Sequence, residues 1–230
     1  MTWDELPVVI TVAPTGAEVT RADNPALPHS PSEIAADVAA CAEAGASVCH
    51  LHVREDDGSP SSRPELFEEA VALIGDRTPI VTMVSTGGAV WMSIEERITG
   101  LEARPDLAGV ETGSMNFGED PFVTVPADAR RVVERATELG IGLEAEMFDV
   151  GHVVSAVRMV ERGELPLPLR ANLVFGVPGG IDAAPEALAA MMRPLAPGMH
   201  WSITAVGRHQ RRMLGLAKGG FPNARAFSIR

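Results

Sequence analysis

The strongest constraint in this chain is a rhythm. Short apolar, β-type runs alternate with longer amphipathic stretches, seven times between residues 8 and 217. The β-type runs fall at 8–12, 47–53, 79–84, 107–111, 142–147, 167–175 and 200–206. The first helical stretch is sharply marked. Ser30 caps it, Pro31 takes the first helical position, Glu33 completes a capping box, and Gly45 stops it. Ile34, Val38 and Cys41 then share one face. Further helices are expected near 64–74, 93–101, 126–139, 152–162, 185–192 and 210–217. Each is long enough for a right-handed crossover between parallel strands. The series predicts an α/β fold of the TIM-type (β/α)8 barrel class, its eighth strand short, displaced or missing. A doubly wound open sheet is the rival, but it normally carries a Gly-rich phosphate turn after an early strand. Here Ala13-Pro-Thr-Gly-Ala-Glu18 follows the first strand without that spacing.

At 230 residues, with 46% hydrophobic and 22% charged side chains, the chain suits one globular core, and we expect a single barrel domain over 1–230. A net charge of −12 argues against a nucleic-acid surface, and the absence of Tyr argues against stacking platforms for single strands. Local Arg, Lys or metal charges still permit an anionic ligand. Cys41 and Cys49 form neither a disulfide framework nor a metal-type pair, and free thiols are expected. The chain opens without a basic flank or apolar signal core, and no apolar run approaches a membrane span, so a cytoplasmic protein is expected.

In barrels of this class the chemistry sits at the C-terminal ends of strands and in the loops that follow. That rule selects Thr15 and Glu18, His50 and His52, Ser85 to Gly88, Glu111-Thr-Gly-Ser114, Glu144 and Glu146, Asn172, the loop 176–180, and Gly207-Arg208. His50-Leu51-His52 is the sharpest feature. Residues two apart on a strand face one way, and two inward imidazoles suit zinc or a similar divalent ion. The bland alternative is a pair of satisfied core histidines. Glu144 and Glu146 share the same alternation, and Glu146 can ligate, act as a base or bind substrate; a buried ion pair is the alternative. Ser85, Thr86, Gly87 and Gly88 offer hydroxyls and N–H groups to an anion, as do Thr112 and Ser114 one strand further on. Neither segment has a nucleophile-elbow pattern. Arg208 reads as an anion clamp or as a surface residue. Asp149 reads as a helix cap.

These segments, in this order, resemble the β-keto acid cleavage enzyme family. The resemblance rests on 10–18, Asn24-Pro-Ala-Leu-Pro28, Glu43-Ala-Gly-Ala46, His50-Leu-His-Val-Arg54, Ser85-Thr-Gly-Gly88 and Thr112-Gly-Ser-Met-Asn-Phe-Gly118. It continues through Glu144-Ala-Glu-Met-Phe-Asp149, Phe175-Gly-Val-Pro-Gly-Gly180 and Gly207-Arg-His-Gln210. It implies an oligomeric zinc barrel that converts a β-keto acid and acetyl-CoA into acetoacetate and a new acyl-CoA. By the same resemblance His50 and His52 are zinc ligands, and Glu18, Ser85, Thr112 (with Ser114 as the alternative) and Glu146 line the substrate site, while Gly88 and Arg208 are expected at the substrate from their own places at the strand ends.

One departure stands out. The family closes with a strand carrying a third zinc ligand, Glu, together with Arg and Asp for proton transfer. This chain instead ends on 219–230, where Arg225 falls near the Arg position and no Glu or Asp follows. Either the C-terminal end is truncated or altered, with the closing strand lost and activity impaired, or Glu146 or Glu18 replaces the missing ligand. Two other functional readings follow: a metal-dependent hydrolase on the same barrel, and a metal-binding remnant without turnover.

Overall fold

The computed structural model describes residues 8–220 and 226–229. Its parallel strands follow the order β1-β10-β9-β8-β7-β4-β3-β2 in a closed barrel, with a separate two-stranded ribbon β5-β6. Two compact units divide the chain: Ile10–Gly109 with Glu134–Gly142, and the remainder.

In the first unit β1 (Val9–Val12), β2 (Val48–Leu51), β3 (Val81–Val84) and the start of β4 (Leu107–Glu111) pair in parallel. Helix α1 (Pro31–Glu43) begins as its capping box dictates: Ser30 accepts from the Glu33 N–H, and the Glu33 carboxylate accepts from the Ser30 N–H. Helix α2 (Pro64–Arg77) starts on Pro64 and turns Phe67, Ala70 and Ile74 inward. These residues pack with Ile34, Val38, Cys49, Leu51 and Val84 into one apolar cluster. Full burial of such side chains is worth about 1.5–3 kcal/mol each before entropy is charged against it. Burial also pushes the Cys49 thiol up to about 12, which makes it an inert core residue. The expected helix over 93–101 is shorter. It divides into α3 (Ile94–Arg97) and a 3-10 turn Thr99–Ala103, where Gly100 abuts Val84 and Phe67.

In the second unit β7 (Gly142–Met147), β8 (Leu169–Phe175), β9 (Met199–Ala205) and β10 (Ala226–Ile229) pair in parallel. Helices α5 (Val150–Glu161), α6 (Pro185–Met192) and α7 (Gln210–Gly220) alternate with them, while α4 (Pro126–Leu139) precedes β7. Asp149 caps α5 by accepting from the Gly151 N–H, as expected. The closing strand expected to be short, displaced or missing is short and present, in register with Ser202 to Ala205 of β9. Arg225 lies outside the described residues. A feature without a sequence forecast is the ribbon of β5 (Met115–Phe117) and β6 (Asp120–Phe122). Its Gly118 N–H donates to the Pro178 carbonyl, and Phe117 and Met115 pack on Phe148, Val174 and Val177. The Gly-rich loop 176–180 is therefore occupied by the ribbon: a Cβ on Gly179 would meet the Asn116 backbone.

Candidate active site

Strand β2 delivers His50, which is 1% exposed, in register with Met83 of β3. His52 lies just past the strand end and is half-buried. The chain keeps both rings on one side, with centroids 5.3 Å apart and planes tilted by 49°. That spacing is informative. Two imidazoles on one zinc at a tetrahedral angle, with Zn–N bonds of ~2.0–2.1 Å and ring centres ~1.1 Å beyond each nitrogen, have centroids about 5 Å apart. The centroid spacing of the pair thus matches that of two imidazoles on one divalent ion. Among the described residues, no group of three or more His, Cys, Asp or Glu side chains is placed to hold a metal ion.

The loop after β3 carries Ser85, buried, whose Oγ accepts from the Gly87 N–H at 3.1 Å and keeps its own proton to donate. The neighbouring Thr86 hydroxyl donates to the Gly109 carbonyl at 2.9 Å. Arg97, 4% exposed, donates from Nε to the Thr86 carbonyl at 2.6 Å. Gly88 sits at φ +59°, and a Cβ there would come within 2.7 Å of Met92 Sδ. The loop is braced from beneath, and its Gly87–Gly88 tip is half-buried.

Glu18 is exposed in the loop between β1 and α1. Arg54, two residues beyond His52, is buried and donates to carbonyls of Thr15, Gly16 and Gly58. Burial pulls the Arg54 pKa down and the charge of Glu18 opposes that shift.

In the second unit β7 buries Glu144, Ala145 and Glu146 alike, with Glu146 in register with Asn172. Asn172 Oδ1 accepts from the Thr204 hydroxyl at 2.8 Å. The Thr112–Ser114 segment is tied down by His152. Thr112 donates its hydroxyl proton to the His152 carbonyl at 2.9 Å, and His152 Nε2 meets the Ser114 carbonyl at 3.2 Å. The same ring's Nδ1 accepts from the Phe148 N–H at 3.3 Å. Those partners select the Nε2–H tautomer, and burial lowers the pKa of the ring. Ser114 is committed to the Thr124 backbone, donating to its carbonyl and accepting from its N–H. Arg208 is exposed in the turn Gly207–His209, its Nε donating to His209 Nε2 at 3.3 Å.

Sequence reasoning passed over Arg54, Arg97 and His152 as structural supports. Arg54 alone left a signal, being the last residue of the His50–Arg54 motif. Among the described residues no helix is long and apolar enough to cross a membrane.

Comparison with known proteins adds a second line. The beta-keto acid cleavage enzyme family model matches residues 7–220. A 3-keto-5-aminohexanoate cleavage enzyme of Fusobacterium nucleatum is 37% identical over 212 residues, 91% of this chain and 77% of that protein. A 3-oxoadipate:acetyl-CoA acetyltransferase of Cupriavidus necator is 36% identical over 211 residues, covering 90% of this chain and 74% of that protein. Among solved structures, the binary complex of ObcA with oxaloacetate superimposes with a TM-score of 0.77 at 18% identity, over 89% of this chain. This chain spans 57% of the length of that one, and the likeness is one of fold.

Proposed function

We propose, for a chain that belongs to the beta-keto acid cleavage enzyme family, a zinc-dependent exchange between a β-keto acid and acetyl-CoA that yields acetoacetate and a new acyl-CoA. The observation that carries the metal part of this reading is the 5.3 Å spacing of the His50 and His52 rings. When bound, zinc supplies Lewis-acid stabilisation of negative charge at the keto oxygen. The imidazoles must be neutral to donate to it, which makes binding weaken in acid.

The rest falls to the chain's own residues. A proton leaves the carbon between the substrate's keto and carboxylate groups, and Glu146 is our candidate to take it. The resulting carbanion attacks the acetyl thioester, forming a C–C bond and releasing the CoA thiolate. The thiolate then adds to the original keto carbon. Cleavage of the old C–C bond releases acyl-CoA and an acetoacetate carbanion, which recovers the proton. Atoms and charge balance without an oxidant. Ser85, with a hydroxyl proton to donate beside the N–H groups of the Gly88 loop, is assigned to the substrate's carboxylate or oxyanion. Thr112 and Ser114 are assigned to the same work, and Arg208 to an anionic group of CoA or substrate. Their hydroxyl protons are given to the His152 and Thr124 carbonyls, so each must turn from that carbonyl to donate to the bound anion. Glu18, exposed on its loop, suits a cationic substituent.

The test is direct. Purified protein is incubated with 3-keto-5-aminohexanoate or 3-oxoadipate, with and without acetyl-CoA, and acetoacetate is measured. Acetoacetate formed only when both substrates are present supports the reading; cleavage without acetyl-CoA favours hydrolysis and overturns it. A cytoplasmic location and homo-oligomeric assembly belong to the same proposal, and light scattering on the purified protein measures the second.

A further inference from the structure

The loops that follow β1 and β2 are joined by one buried cation. Arg54 is 3% exposed. Its Nη1 donates to the Gly58 carbonyl at 2.6 Å, and its Nη2 donates to the Gly16 carbonyl at 2.9 Å and reaches the Thr15 carbonyl at 3.5 Å. Gly16 is two residues from Glu18. The joint is closed again from the far end of the first loop. Gly58 sits at φ +86° under the ring of His29, and a Cβ there would lie 2.5 Å from His29 Cε1. Arg21 then holds the end of the loop to α1, donating to the Leu27 carbonyl at 3.0 Å and to both oxygens of Glu33 at 2.9 Å.

Stability alone does not call for this arrangement. Burying a guanidinium carries a desolvation cost even after relaxation, and the cost is recovered only where every donor is met. Among the described residues, Arg54 Nε and Thr15 Oγ1 are both buried without a hydrogen-bond partner. A planar fork suits the geometry, since its two Nη atoms serve carbonyls on two loops where a lysine would have to serve both from one nitrogen. The fork also stands two residues past His52, on the chain that carries the imidazole pair.

We infer that Arg54 is a positioning residue, which sets Glu18 for the substrate by locking the loop after β1 to the loop after β2. This rests on the assignment of Glu18 to substrate binding. Arg54 touches no reacting atom; it acts through the loop. Its loss should therefore weaken substrate binding and leave the chemical step alone.

The experiment compares wild type with Arg54→Lys, which keeps the charge, and with Gly58→Ala, which keeps Arg54 but breaks the joint at Gly58 and His29. Both variants are expected to raise KM for the β-keto acid by more than about 3-fold with kcat within about 3-fold. Bound zinc should match wild type, and amide exchange over residues 13–29 should accelerate. Adding Arg54→Lys to Glu18→Gln should raise KM no further, because the contact that Arg54 positions is then already gone. A change confined to kcat, an unaltered KM, or full additivity with Glu18→Gln overturns the inference. If the wild type shows no turnover with any β-keto acid, the proposed function fails first. The exchange measurement needs no substrate and still decides the loop joint: unchanged exchange in both variants overturns it, and accelerated exchange supports it.

Discussion

The hydroxyl of Thr112, at the end of β4, donates its proton to the main-chain carbonyl of His152, in the first turn of α5. The same histidine grips the Ser114 carbonyl and the Phe148 N–H with its two ring nitrogens. One side chain and its carbonyl thus hold three residues of the β4 and β7 ends together.

The ring works in its neutral form, and pH should expose that. Burial depresses the His152 pKa below its unfolded value, so the folded state favours the unprotonated ring. A depressed histidine contributes stability in full above the unfolded pKa of about 6.5 and loses it as pH falls below that value. Thermal melts from pH 8 to 5 should decline more steeply for wild type than for His152→Gln. Equal slopes would mean the ring is not the titrating group.

Gly113 lets the ring fit. A Cβ at this position would approach His152 Nε2 to 2.7 Å, inside any real contact. Gly113→Ala should cost about 1–3 kcal/mol of unfolding free energy in denaturant titrations, and most of that cost should vanish when the same substitution is made in a His152→Ala background. A single variant as stable as wild type contradicts the packing described here.

At the other end of the chain, Glu33 makes a second pH forecast. Backbone N–H groups of Ser30 and His29, and then Arg21, hold its carboxyl down at about 2. A depressed carboxylate contributes stability above its unfolded pKa and loses it as pH falls through the folded one. The advantage of wild type over Glu33→Gln should therefore be constant above pH 5 and should shrink steadily towards pH 2. The pair with Arg21 is solvent-screened, so added salt should narrow the gap only slightly while the N–H contacts persist.

How much of this was legible beforehand depended on the physics of each piece. The barrel was, because a period-2 run and a 3.6-period run cannot substitute for each other, and the chain alternates them. The closeness of the His50 and His52 rings was, because their two-residue spacing favours a common side. The β5-β6 ribbon was not: Met115–Phe117 and Asp120–Phe122 are too short to show alternation, and the ribbon forms by packing on Phe148 and Val174. The helix over 93–101 ends at Arg97 and gives way to the 3-10 turn Thr99–Ala103, where Gly100 lies against Val84 and Phe67 too closely for a side chain. Strand β10 was hidden because its order comes from pairing with β9. Arg54 and Arg97 escaped because arginine reads as a surface residue until its acceptors are known.

Cys49 offers a simple check of the core. With its thiol pushed to about 12 by burial, it should resist a thiol reagent at pH 8 in the native protein and react once denaturant is added. Two thiols titrating at once without denaturant would contradict the placement of Cys49.

The two imidazoles at the end of β2 are proposed to share one metal ion. Zinc should be measured by elemental analysis in purified wild type, in His50→Ala, in His52→Ala and in the double variant, with folding checked by circular dichroism. We expect about one zinc per chain in wild type, a sharp drop in each single variant and none above background in the folded double variant. Zinc that stays at the wild-type level after both rings are removed contradicts the assignment.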